Sequence, residues 1–170
     1  MHRKILFVTI VCGLVALVAQ PSLMAAAGPT LTGSWQLTFT PTAPPTPPVK
    51  QVPGLATFTN EGTVIETDGS ELVLVPSSTA PAAASPGHGI WQKAPIPGEF
   101  YIEYISILVN SDGMLFGDNV TTVTGVTIAT ANNVTTFKGS YTTDLVTSSG
   151  TTRSSAGTVS GLLIPHPKLP

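Results

Sequence analysis

The sequence predicts an all-β fold: an antiparallel up-and-down β-barrel of about eight strands, following an N-terminal signal peptide. Three observations point there. From Gly33-Ser34-Trp35 onward apolar and polar residues alternate with the two-residue period of a half-buried strand, and similar segments recur to the end of the chain. Short turn sequences separate them, and strands joined by short turns are antiparallel, because a parallel return needs a dozen or more residues. The many Thr, Gly and Pro residues also disfavour helices.

The first element is the leader, 1–27. Arg3 and Lys4 give it a positive start, and 5–19 is an uncharged, mostly apolar run. Its length suits a signal peptide and falls short of the roughly 20 residues that span a bilayer. Ala25-Ala26-Ala27 offers a cleavage site after Ala27. Cys12 lies in the middle of the apolar run, so a lipoprotein anchor is not expected. Cleavage removes the only cysteine and leaves 143 residues in one domain, 28–170, large enough to hold a core without a disulfide. The expected location is secreted or periplasmic, with no stable membrane anchor after cleavage. Without Arg3 and Lys4, five cations face nine carboxylates, a net charge of −4. No basic stripe is present, so nucleic acid is not an expected partner. Nor is there a basic amphipathic helix to bind a membrane surface.

The expected strands, in order, are 33–40, 54–59, 63–67, 89–93, 99–109, 114–130, 134–147 and 152–164, with a short ninth at 71–75. In the first, Trp35, Leu37 and Phe39 share one face, and Ser34, Gln36 and Thr38 the other. A Pro-rich loop, 41–53, follows, because proline cannot donate to a ladder. An Ala/Pro/Ser-rich loop spans 76–88. Strand 99–109 is apolar on both faces and is the expected surface for a homodimer. Strand 114–130 has a candidate break near Gly117-Asp118-Asn119. In 134–147, Phe137, Gly139, Tyr141, Thr143 and Leu145 form the inward set, while Lys138, Ser140, Thr142 and Asp144 face water. Turn signals lie at Asn60-Glu61-Gly62, at 110–113, at Asn132-Asn133 and at Ser148-Ser149-Gly150.

Gly33-Ser34-Trp35, opening the first of eight up-and-down strands, resembles the start of the lipocalin and wider calycin barrels. That resemblance implies that Trp35 closes one end of the barrel and that an arginine from the last strand packs over it. Thr143-Asp144-Leu145 partly matches that family's Thr-Asp-Tyr. Arg153 stands at the start of the last strand, whereas Leu162 and Leu163 occupy the region where a closing arginine belongs. The order of elements also resembles the allene-oxide-cyclase and dirigent type of barrel, which holds a reactive ligand in an apolar cavity.

Candidate chemistry is sparse. Glu103 shares a face with Tyr101 and Ile105. If that face points inward, Glu103 is desolvated and can serve as a general acid or base, with Tyr101 or Tyr104 as its partner. The alternative is that Phe100, Ile102 and Tyr104 point inward and Glu103 lies outside. Glu66 poses the same question. His88, between two glycines, is a polar loop residue or a group at the barrel mouth, and the other histidine of the mature chain, His166, lies in a Pro-flanked tail. Paired histidines for a metal, a Gly-x-Ser-x-Gly nucleophile turn and phosphate-binding loops are all missing from the sequence, so no cofactor is expected. Asn119 and Asn133 head N-glycosylation sequons.

The leading expectation is a non-catalytic barrel that binds a small hydrophobic molecule among Trp35, Leu37, Phe39, Phe137 and Tyr141. A cyclase or isomerase using Glu103, Tyr101 or Tyr104 is the enzymatic alternative. A structural or surface-interaction protein is the third.

Overall fold

A computed structural model describes residues 29–43, 51–69 and 81–165 of the chain. The expected leader with Cys12, the expected strand 71–75, the middle of the Pro-rich loop and His166 lie outside the described residues. Nine strands make up the described fold: β1 (Gly33–Ala43), β2 (Val52–Phe58), β3 (Thr63–Asp68), β4 (Ala83–Ala84), β5 (Gly87–Lys93), β6 (Glu99–Val109), β7 (Leu115–Ala131), β8 (Val134–Thr147) and β9 (Gly150–Leu163).

Every pairing is antiparallel and between neighbours around a ring. β1 pairs β2, β2 pairs β3, β3 pairs β5, and so on to β9, which returns to β1. The result is a closed eight-stave barrel. β4 is not a separate stave. It pairs with Leu108 and Val109 on the same edge of β6 that β5 occupies from Phe100 to Ile105. Pro86, which has no N–H, interrupts the ladder between them. Ser85 bridges the gap: its N–H donates to the Ile107 carbonyl at 2.9 Å, and its Oγ accepts from the Ile107 N–H at 3.0 Å.

The proline-rich segment is entered later than the sequence suggests. β1 continues through Pro41 to Ala43, with Pro41 at a register shift where no ladder donor is needed. β2 already starts at Val52 and β5 at Gly87, trimming both expected loops. β7 has no break near Gly117. That residue pairs with Leu108 and lies where a Cβ would meet the Val146 carbonyl oxygen, so it marks a close strand approach and not a turn. The register against β6 does shift beside it, between Gly117 and Leu115, and a second bulge at Gly125 (φ 62°) shifts the register against both neighbours, but the strand runs on through both. Asn132 and Asn133 form the β7–β8 turn, both with positive φ, as a two-residue hairpin requires.

Alternation divides inside from outside. Trp35, Leu37 and Phe39 point in from β1, and Phe137 and Tyr141 from β8. β6 is not two-faced in its burial: Phe100, Ile102, Tyr104, Ser106 and Leu108 are interior, whereas Ile105 and Ile107 are about half exposed. At one end, the Trp35 indole is fully buried and donates to the Leu31 carbonyl at 2.7 Å, which holds the incoming chain across the opening. Phe137 meets Trp35 edge-on at 5.0 Å, and Trp91 meets Phe58 edge-to-face and Phe100 at a tilt. Gly161, opposite Phe137, leaves the space that its ring fills. This end is closed.

Candidate functional site

The interior is not hollow throughout. At mid-barrel, between Leu37, Ile102, Val123 and Phe137, the free space is only about 10 Å³. That is the lower limit for a single water. The opposite end is open and holds a pocket of about 170 Å³. This is similar to the roughly 150 Å³ that accommodates benzene in a protein core.

The pocket is built where β1, β2, β3, β6, β7, β8 and β9 reach the open end. Its apolar walls are Phe39 and Val52, with the rings of Tyr104 and Tyr141 beside them. Phe39 and Tyr141 meet edge-to-face at 5.1 Å. Its polar wall follows from the register, which places Tyr104, Thr121, Thr143 and Ser155 in one row across β6, β7, β8 and β9. Thr121 and Thr143 share a hydrogen bond between their hydroxyls at 2.9 Å, and Tyr141 and Ser155 share one at 3.0 Å.

Two carboxylates belong to this space. Glu66 and Asp68 alternate with Val64 on the inner face of β3, Asp68 lining the pocket and Glu66 one pleat deeper. Glu66 is only 2% exposed. Their charges act on the phenols. Burial pushes Tyr104 well above its ordinary range, and Glu66 and Asp68 push it further. Tyr141 is raised by burial, with Asp68 adding to the effect. Both phenols therefore stay protonated at neutral pH. Two glycines make room here: a Cβ on Gly87 would strike the Tyr104 ring at 2.5 Å, and one on Gly54 would press on the Glu66 carboxylate and the Phe39 ring.

The structure separates the residues singled out from the sequence. Trp35, Leu37 and Phe137 face the interior but fill its closed half. Phe39 and Tyr141 line the open pocket. Tyr104 is inside, while Tyr101 and Glu103 lie on the outer wall, where the Tyr101 hydroxyl donates to Glu103. That bond is the main reason the Tyr101 phenol is raised. The barrel wall thus divides the three acid–base candidates. A guest in the pocket meets Tyr104, and the carboxylates near it are Glu66 and Asp68, not Glu103.

His88 is likewise outside, exposed between Ile65 and Ile105 on neighbouring strands. Asn119 lines the pocket, and Asn133 is exposed at its turn. Arg153 is far from Trp35. It forms an ion pair with Asp144 across the β8–β9 ladder. The residue opposite Trp35 in the last strand is Leu163. Among the described residues no group of three or more His, Cys, Asp or Glu could hold a metal ion.

Asp68 was missed in the sequence, and Glu66 was left open, because 63–67 has apolar residues on both parities. The signal was the hairpin register. Phe58 faces Val64 across it, so an inward Phe58 carries Val64, Glu66 and Asp68 inward with it. Comparison with protein-family models, curated proteins and solved structures finds no match for the chain.

Proposed function

We propose that the protein is an exported, lipocalin-like barrel that binds a small, largely apolar molecule at its open end. The observation that carries this reading is the recess of about 170 Å³ bounded by Phe39, Tyr104 and Tyr141, above a mid-barrel that is packed. An aromatic group buries about 150–250 Å². At about 25 cal/mol per Å² this contributes about 4–6 kcal/mol before ordering costs, enough for a small ligand to dwell. The hydroxyl row from Thr121 to Ser155 supplies the few polar contacts that fix orientation in such sites.

Kinship with lipocalins is supported by the Gly33-Ser34-Trp35 opening, the position of Trp35 at the closed end and the next-neighbour ring of strands. Leu163 in place of a closing arginine is the departure from that pattern. Export rests on the sequence of the leader alone. The decisive experiment is native mass spectrometry of the protein purified from its own host. A bound small molecule is expected, and it should be lost in Ser155→Trp, which fills the pocket. An empty wild-type protein in repeated preparations would count against the reading.

A second reading is favoured by one observation. Leu55, Ile65, Ile90, Ile105 and Ile107 are about half exposed on the outer wall of β2, β3, β5 and β6. Self-association through that wall is expected to be lost in Ile105→Lys or Ile107→Lys, as read by size-exclusion chromatography. An oligomer unchanged by both substitutions would exclude this interface.

A further inference from the structure

We propose that the guest of the open end is an alkyl-aryl molecule: an aromatic ring seated in the recess of Phe39, Tyr104 and Tyr141, carrying an unbranched aliphatic arm that runs outward beneath residues 81–84. The inference rests on the pocket reading and deepens it. Beside the recess of about 170 Å³ lies a second one of about 290 Å³, walled by Pro81, Ala83, Ala84, Leu108 and Leu145. Asn119 and Ser154 line both, so the two adjoin at the mouth of the barrel. Drug-sized guests occupy roughly 300–1,000 Å³. The first recess alone falls short of that range, and the two together reach it.

The outer recess is part of the sheet. Directly opposed residues of paired strands share a face, and Ala84 opposes the buried, inward Leu108, so both point into the mouth. The Ala82 N–H donates to the Val109 carbonyl at 2.7 Å, and Ser85 bonds to Ile107, so 82–85 continue the wall past the start of β5. On the far side, Leu145 opposes Asn119 across β7 and β8. The register shift beside Asp144 brings two successive residues of β9, Ser154 and Ser155, to the recesses. The two spaces differ in chemistry. Three rings bound the inner one, and a guest ring gains from edge-to-face contact with them. The outer one has only aliphatic and small polar residues among its described lining, which suits a flexible hydrocarbon arm. Tyr104 lines the first and Leu108 the second, about 13 Å apart along β6 at the rise of a strand. A ring by itself does not reach across that distance, whereas a ring with an arm does.

The test is a chain-length series: benzyl alcohol and its para-ethyl, para-butyl and para-hexyl derivatives. Each is titrated into the purified protein and followed by NMR. A methylene that enters an apolar recess contributes about four-fold in affinity. The para-butyl compound is therefore expected to bind at least ten-fold more tightly than benzyl alcohol. Benzyl alcohol should shift Tyr141 and Thr143, and the para-butyl compound should also shift the methyls of Leu108 and Leu145. Leu145→Trp, which fills the outer recess, should abolish the gain with length and keep the affinity for benzyl alcohol. Ala84→Leu, which adds bulk from the opposite wall, should reduce the gain as well. Equal affinities along the series would overturn the alkyl-aryl inference and leave the pocket reading standing. A gain with length that survives both substitutions would overturn the assignment of the arm to the outer recess. Absence of shifts with every probe would overturn both the alkyl-aryl inference and the pocket reading.

Discussion

Tyr104 ties the interior chemistry to stability. Its phenol is held well above its ordinary value of 10.0, first by burial and then by Glu66 and Asp68. Folding therefore favours the protonated form. Below pH 10 that contribution is fully present, and it is lost as pH rises through the folded-state value, because only the unfolded chain ionises freely. The thermal midpoint is expected to fall above about pH 10, and to fall less steeply in Tyr104→Phe. Tyrosinate absorbance of Tyr104 should emerge only with unfolding. Glu103 makes the opposite case. It is on the outer wall with Tyr101, so Glu103→Gln should change stability by no more than about 0.5 kcal/mol in denaturant melts. The sequence showed Glu103 amid apolar residues on both parities and left its side open. Only closure of the barrel, with Phe100, Ile102 and Tyr104 inside, decides it.

Single strands read well where one parity is uniformly apolar. Trp35, Leu37 and Phe39 in β1, and Phe137 and Tyr141 in β8, face inward as their alternation requires. The Asn132-Asn133 turn was legible for the same kind of local reason, since asparagine tolerates positive φ. Features set by neighbouring strands were not legible. The bulge at Gly125, the extension of β1 through Pro41 and the short β4 depend on partners distant in sequence. Glycines on inner faces are the clearest example. Gly161 reads as a weak point in a strand, yet a Cβ there would lie 2.2 Å from the Phe137 ring. Gly161→Ala is expected to cost about 1–3 kcal/mol through overpacking, whereas Ser160→Ala, on the outer face, should stay within about 0.5 kcal/mol. Chemical denaturation of the two variants side by side checks this.

At the scale of the whole molecule, the barrel is plugged at one end, packed in the middle and recessed at the other. The plug centres on Trp35, fully buried between Leu31, Phe137 and Leu163. Trp35→Ala should cost about 3–5 kcal/mol in equilibrium unfolding, as expected for a large core aromatic. The ring topology was legible from the number of strands and the shortness of their turns. The distribution of free space was not, because it depends on how Phe39, Tyr104, Tyr141 and Phe137 share the lumen. That distribution is what the proposed binding at the open end rests on. Intermolecular nuclear Overhauser contacts from bound benzyl alcohol test it most directly. Contacts to Tyr141, Thr143 and Tyr104 are expected; contacts to Trp35 and Phe137 at the plugged end would contradict a guest seated at the open mouth.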